Sequence, residues 1–189
     1  MLSGYGIASI VARAGGFGSR KRLQRYFYFL DVVSGLTGLK FELNRYGPYS
    51  RALSAWVEGC RLAGYLDVEQ IPSVGFAAVV PTGSFLEFQE ARKQPISDKV
   101  IFEPYEEQLR PIQSASHDLL DWSATLQYFF SKAQDLGLSS NYDAIAAAQR
   151  HNSSLWDAEN LYQARDFLRK ITRNDNLYVR PLTDPEPNL

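Results

Sequence analysis

The side chains best suited to chemistry are cations that follow a glycine-rich loop. Residues 15–19 read Gly-Gly-Phe-Gly-Ser, and arginine or lysine occupies positions 20, 21, 22 and 25. A glycine-rich loop before a basic helix could bind a phosphate. This loop, however, lacks the Gly-Lys-Ser/Thr ending of a nucleotide-binding P-loop, and no strand pattern leads into it. We therefore interpret it as a flexible turn between two helices, with Ser19 as the N-cap of the second.

Residues that could act in catalysis or bind a metal are few. The chain has one cysteine and two histidines, His117 and His151, which are far apart in sequence. His117 and Asp121 are four residues apart and could share a helix face, but the sequence lacks the Cys/His spacing of a metal site. The acidic cluster at residues 103–107 could do acid–base chemistry only if it were buried. We expect no catalytic residue, no metal, no cofactor and no enzyme activity.

Positive charge is concentrated in the first third of the chain. Residues 1–61 contain nine Lys and Arg against three Asp and Glu, a net charge of +6, whereas the remainder carries −7 and the whole chain −1. This asymmetry is typical of a basic contact surface on a more acidic body, although an ordinary solvated face would look the same. The near-neutral total argues against a dedicated nucleic-acid binder.

Residues 40–66 predict a strand, a turn and a helix that is presented to a partner. Phe41 and Leu43 alternate with polar residues, as in a half-buried strand. Gly47 ends this strand, and Pro48 suits the first turn of the helix that follows. The inward face of this helix would carry Leu53, Trp56, Val57 and Cys60, and its outward face Tyr49, Arg51, Ser54, Glu58 and Arg61.

The wider pattern predicts a mainly α fold with a small β-hairpin. Helices are indicated at 2–14 and 20–34, and two short strands within 65–80 follow the presented helix and lead into another helix. This order is typical of a winged helix-turn-helix, although the segment between the second and third helices is longer than usual. We expect a winged-helix-like module at 1–90, a helical C-terminal extension packing on it at 91–175, and a loose tail at 176–189.

The C-terminal part should begin with a connector and continue as helices. Two prolines mark a connector at 92–104, and helical periods follow at 116–136, 141–150 and 155–172. No apolar stretch is long enough for a membrane span, and no signal peptide is indicated. The single cysteine should be buried in a reducing environment. The predicted location is therefore the cytoplasm.

Three blocks of sequence carry a resemblance to a known family. They are Arg22-Leu-Gln with Tyr28-Phe-Leu30, then Phe41-Glu-Leu-x-x-Tyr-Gly-Pro-Tyr-Ser-Arg-x-Leu53, then Leu62-Ala-Gly-Tyr-Leu66. The second block is the most specific. Together they resemble the YwgA-like proteins of bacteria and, more distantly, the phage-associated SocA-antitoxin-like proteins, over most of residues 2–172. The resemblance implies a winged-helix-like cytoplasmic protein linked to prophages, toxin–antitoxin pairs or phage defence loci, with no established activity.

Two functions remain open, and the first is a DNA-binding regulator of transcription. Such a protein would bind double-stranded DNA, with Arg51 and Tyr49 reaching the groove and the other contact residues neutralising phosphates. So few contacts per chain would require a homodimer for useful affinity. The predicted contact residues are Arg20, Lys21, Arg22, Arg25, Arg45, Tyr49, Ser50, Arg51 and Ser54.

The second function is a protein-interaction module that keeps the winged fold without reading DNA. Its partner would be a protein such as a toxin, and the chain would act as an antitoxin, an adaptor or a defence-complex subunit. The near-neutral charge favours this function, as do the 11 Tyr, 11 Phe and 3 Trp. Candidate interface anchors are Trp122, Tyr128, Trp156 and Tyr162.

Overall fold

The computed structural model describes residues 2–71, 76–91 and 103–173. The predicted class, mainly α with a small β-hairpin, is confirmed. The predicted tail at 176–189 and most of the predicted connector at 92–104 lie outside the described residues. The elements are α1 (Gly4–Arg13), α2 (Arg20–Ser34), β1 (Glu42–Asn44), β2 (Gly47–Tyr49), α3 (Arg51–Leu62), β3 (Leu66–Ile71), β4 (Phe76–Pro81), α4 (Gly83–Ala91), α5 (Glu106–Ser114), α6 (His117–Ser131), α7 (Asn141–His151) and α8 (Ala158–Thr172).

Local capping explains where the helices begin. The Ser19 hydroxyl accepts a hydrogen bond from the Arg22 amide (3.1 Å), so α2 starts at the residue that the sequence predicts. Ser50 caps α3 in the same way, through the Leu53 amide (3.3 Å). Each cap satisfies an amide that the first helical turn leaves without a partner. These two serines therefore fix the ends of the two helices that bear most of the predicted contact residues.

The first three helices and the β3–β4 hairpin form a winged arrangement. β3 and β4 pair antiparallel, and Phe17 in the loop between α1 and α2 forms an isolated β-bridge with Val79 of β4. Phe17 and Val79 exchange two backbone hydrogen bonds of 2.8 Å each. The glycine-rich loop is the predicted turn between two helices with Ser19 as N-cap of the second, and the bridge ties it to β4. Three helices followed by a hairpin is the order that the sequence predicts for the winged-helix-like module.

A second hairpin occupies the long segment between α2 and α3. β1 pairs antiparallel with β2, so that Leu43 lies opposite Pro48 and Asn44 opposite Gly47. The prediction that Pro48 starts the helix is wrong, because α3 begins at Arg51 and Pro48 lies in β2. An edge strand tolerates proline because its missing N–H removes no hydrogen bond from a second neighbour.

One hydrophobic core joins the winged elements to the C-terminal helices. The apolar face of α2 lies at its centre, with Phe27, Phe29 and Leu30 fully buried. The Phe29 ring packs edge-on against Phe167 of α8, with ring centroids 6.0 Å apart. α6 and α8 therefore complete the core that the winged elements leave open. Within the described ranges, every helix is too short or too polar to cross a bilayer.

The close approach of the glycine-rich loop to β4 predicts a stability effect at Gly16. Its φ is +87°, and an added Cβ would lie 3.1 Å from the Val79 carbonyl oxygen. We expect Gly16→Ala to lower the free energy of unfolding by about 1–3 kcal/mol in urea denaturation, because the new methyl group meets backbone.

Gly18→Ala is the matched control, since an added Cβ there meets nothing within 4 Å. That variant should unfold within about 0.5 kcal/mol of the wild type. Equal stability of both variants would show that the loop does not depend on its contact with β4.

Candidate interaction surfaces

Arg22 of α2 binds the end of another helix. Its guanidinium donates to the backbone carbonyls of Gln113 and Ala115, both at 2.8 Å, at the C-terminal end of α5. A cation there satisfies carbonyls that the last helical turn leaves free and complements the helix dipole. Arg22 is thus engaged within the protein, and its role as a phosphate contact stays a prediction.

Gln24 of α2 holds the start of α3. Its amide nitrogen donates to the Ser50 carbonyl (3.1 Å), and its amide oxygen accepts from the Ser50 N–H (2.9 Å). The same nitrogen donates to the Ser54 hydroxyl (2.9 Å), which also accepts from the Tyr49 hydroxyl (2.7 Å). Ser50 is fully buried, and Ser54 and Tyr49 are half-buried. Tyr49, Ser50 and Ser54, which the sequence predicts as DNA contacts, therefore form hydrogen bonds that orient α3. The sequence analysis predicted neither this role nor the part that Gln24 plays in it.

Arg25 is the most deeply buried charge among the predicted contact residues, with only 2% of its surface exposed. It donates to the Asp121 carboxylate of α6 (3.0 Å) and to the backbone carbonyls of Tyr46 and Pro48. Burial lowers the pKa of Arg25, and the Asp121 carboxylate opposes that shift. Arg25 thus links α2, the β1–β2 hairpin and α6. Its prediction as a DNA contact stays a prediction, which the burial of the guanidinium does not favour.

Gly47 makes the approach of Arg25 to the hairpin possible. Its φ is +99°, and an added Cβ would lie 2.8 Å from the Arg25 Nη2 atom and 3.3 Å from the Thr125 hydroxyl oxygen. Any side chain at this position would therefore displace the guanidinium. Gly47 leaves room for the Arg25 guanidinium, and Pro48 accepts a hydrogen bond from it through its carbonyl. The Gly-Pro pair therefore forms part of this contact and does not start a helix.

Four of the nine predicted contact residues remain exposed, namely Arg20, Lys21, Arg45 and Arg51. Two of them meet at the tip of the β1–β2 hairpin. The Lys21 ammonium and the Arg45 guanidinium lie 5.8 Å and 5.6 Å from the centre of the Tyr46 ring, which is 62% exposed. Lys21 also pairs with Asp121, which reduces the net positive charge here. We call Lys21, Arg45 and Tyr46 the basic corner.

The outward face of α3 is apolar. Apart from Arg51 and Arg61, its exposed residues are the five that we call the α3 face: Ala52, Ala55, Trp56, Gly59 and Leu62. Leu62 is 75% exposed and Trp56 43%. The prediction that Trp56 faces inward is wrong, because only one side of its ring packs, close to Gly4 of α1. Glu58 and Arg61 pair with each other at 2.7 Å beside this face.

Apolar exposure continues onto α4 and occurs again near the C-terminal helices. Phe88 of α4 is exposed, and its ring lies 6.2 Å from that of Tyr5, the residue after Gly4. The first turn of α1 therefore contacts both Trp56 and Phe88. Of the predicted interface anchors, Trp156 and Tyr162 are exposed, whereas Trp122 and Tyr128 are half-buried against the core.

Two of the residues considered for catalysis or metal binding, Cys60 and His117, have shifted pKa values. Burial raises the pKa of the Cys60 thiol to about 11, so it is uncharged at neutral pH. Burial, followed by the charge of Arg22, lowers the pKa of His117. In the described part of the chain, no three His, Cys, Asp or Glu side chains form a group that could hold a metal. The side chains of two of the clustered glutamates, Glu103 and Glu106, lie outside it.

No family model matches this chain, and no curated protein matches its sequence. The class that the fold defines is a mainly α protein with small antiparallel β-hairpins. The resemblance to YwgA-like proteins stays a prediction.

The Arg25 contacts predict a large loss of stability when the arginine is replaced. We expect Arg25→Met to lower the free energy of unfolding by about 3–5 kcal/mol in urea denaturation, because two backbone carbonyls lose their donor and Asp121 keeps only Lys21 as a partner. Arg20→Met is the matched control on the exposed side of the same helix and should change it by less than about 0.5 kcal/mol. An Arg25→Met variant as stable as the control would contradict this role.

Proposed function

We propose that this chain is a protein-interaction module that binds an apolar helix of a partner protein through the α3 face. The observation that carries the proposal is that the side chains of the α3 face are apolar and mostly small. A winged-helix protein that binds DNA would insert this helix into the groove. The resemblance to antitoxin-like proteins supports a role as an antitoxin, an adaptor or a defence-complex subunit.

The α3 face lacks the groups that DNA recognition requires. Base edges are read by hydrogen bonds from polar side chains, and phosphates are bound by cations. Arg51 is the one exposed charge of α3 outside the Glu58–Arg61 pair among the described residues. Ala52, Ala55 and Gly59 offer no polar side chain at all. Burial of this face against another apolar surface is thus more favourable than its exposure to a DNA groove.

The spacing of the face suits a helix as its partner. Ala52, Ala55 and Gly59 follow one another at three and four residues, so they form a shallow strip along α3. An added Cβ at Gly59 would meet nothing within 4 Å, which leaves that end of the strip open. Trp56 and Leu62 border the strip, and Trp56 can act as an anchor, since tryptophan is enriched among the residues that contribute most to binding.

DNA binding is the second candidate, and the basic corner is the observation that favours it. Lys21 and Arg45 lie together at an exposed hairpin tip, and Arg51 begins α3 a few residues further on. Exposed cations can neutralise the phosphates of a DNA backbone. The pairing of Lys21 with Asp121 weakens this candidate.

A charge placed in the α3 face should abolish partner binding. We expect the tagged full chain, purified from its native host, to recover a protein partner in stoichiometric amount. Ala55→Glu should reduce that recovery at least about tenfold, because the carboxylate loses water on entering an apolar interface.

Ala158→Glu makes the same substitution at an exposed helical position on α8 and should recover the partner like the wild type. Circular dichroism should show that both variants are folded. Recovery of the same partner by Ala55→Glu, or of no partner by the wild type, would refute the proposal.

A gel shift with duplex DNA separates the two candidates. We expect no shift by the wild type at low salt, including with the DNA upstream of its own gene. A shift that disappears in the Arg45→Ala/Arg51→Ala double variant, while Arg13→Ala retains it, would instead establish DNA binding. Arg13 is exposed on α1, away from the basic corner, so its removal controls for loss of charge alone.

A further inference from the structure

A small cleft with a mainly polar lining lies beside the basic corner. It has a volume of about 240 Å³ and is bounded by the turn of the β1–β2 hairpin, the first turn of α2, α6 and the end of α7. Sites for drug-sized ligands commonly measure about 300–1,000 Å³. The cleft therefore suits a small chemical group.

Positive charge exceeds negative charge around this cleft. Asp121 is the one carboxylate among the described residues that line it. Its Oδ1 atom accepts from the buried Arg25 (3.0 Å), and its Oδ2 atom pairs with Lys21. Arg45 pairs with no carboxylate in the described part of the chain. One negative charge thus serves three cations, so two positive charges have no counterion.

Contacts within the protein hold these cations in place before a ligand arrives. Lys21 and Arg45 both lie within cation–π distance of the exposed Tyr46 ring. Arg25 donates to the Tyr46 carbonyl and so fixes the hairpin turn that carries Arg45. A cleft that has an excess of one charge and low-dielectric walls concentrates ions of the opposite sign. The arrangement therefore predicts an anion as the ligand.

Residues 151–153, at the end of α7, add uncharged hydrogen-bond donors to the lining. The Asn152 Oδ1 atom accepts from the Ser154 amide (3.2 Å), which leaves the Asn152 amide nitrogen to donate. Ser153 is exposed, and no hydrogen bond between described residues uses its hydroxyl. An anion with several oxygen atoms can accept from these donors and from the cations together.

Charge and size together indicate a phosphate monoester. Such a group carries a charge of about −1.5 to −2 at pH 7 and three acceptor oxygens, which matches two positive charges without a counterion. A phosphate of the DNA backbone carries only one negative charge. We propose that this cleft binds a phosphate monoester, with Lys21 and Arg45 pairing with its oxygens and Asn152 and Ser153 donating to them. This site goes beyond the proposed function, because it is separate from the α3 face.

Isothermal titration calorimetry of the full chain with inorganic phosphate, at constant ionic strength, tests the proposal. We expect saturable binding that Lys21→Gln and Arg45→Gln each weaken by about three- to tenfold, and the double variant by about tenfold or more. Arg45→Lys keeps the charge and should bind within about threefold of the wild type. Dimethyl phosphate, a diester with one negative charge, should bind at least about tenfold more weakly than inorganic phosphate.

Arg20→Gln is the matched control, since Arg20 is an exposed cation in the same turn of α2 that does not line the cleft. It should bind phosphate within about twofold of the wild type, because salt screens a charge outside the site. Ala55→Glu should also bind phosphate like the wild type, so a failure of the α3 face and a failure of the cleft give different results. Circular dichroism should show that every variant is folded.

Two further probes distinguish the sources of a phosphate monoester. A phosphoserine peptide that binds more tightly than adenosine monophosphate would support the proposal with a phosphorylated side chain as the ligand. The reverse order would support it with a small phosphorylated molecule.

Three outcomes would overturn the proposal. The first is that inorganic phosphate and both further probes show no saturable binding to the wild type. The second is equal binding of phosphate by the Lys21→Gln/Arg45→Gln double variant, and the third is equal affinity of the wild type for dimethyl phosphate.

Discussion

The buried guanidinium of Arg25 is the contact on which the rest of the structure depends. A charge removed from water is tolerated only when each of its donors finds an acceptor, and here the acceptors come from two other elements. Two are carbonyls of the β1–β2 hairpin and one is the Asp121 carboxylate of α6. The arginine, the hairpin glycine and the aspartate must therefore occur together. The C-terminal helices are for this reason part of the folding unit of the winged elements.

The burial of Arg25 also limits how much of the positive charge of residues 1–61 is available to bind a partner. The net charge of +6 suggests a basic surface, but Arg25 is buried and Arg22 binds the carbonyls at the end of α5. Lys21 adds an ion pair with Asp121. All these cations contribute equally to the net charge calculated from the sequence. In the structure, some of them hold helices together and others remain exposed. The exposed features that remain are the small basic corner and the apolar α3 face. Because the apolar face is the larger of the two, we propose a protein partner in preference to DNA.

The limits of prediction follow from how far apart the interacting residues lie in the chain. α2 could be placed between Ser19 and Gly35 because caps and helical periods are local signals. The bridge between Phe17 and β4 could not be predicted, since it depends on pairing with Val79, about sixty residues later in the chain. Pro48 was assigned to a helix for the same reason, as its carbonyl is bound by an arginine more than twenty residues earlier. The α3 face has a local signal in the sequence, because Ala52, Ala55 and Gly59 are spaced by three and four residues. The charged residues around them indicate a polar outward face instead.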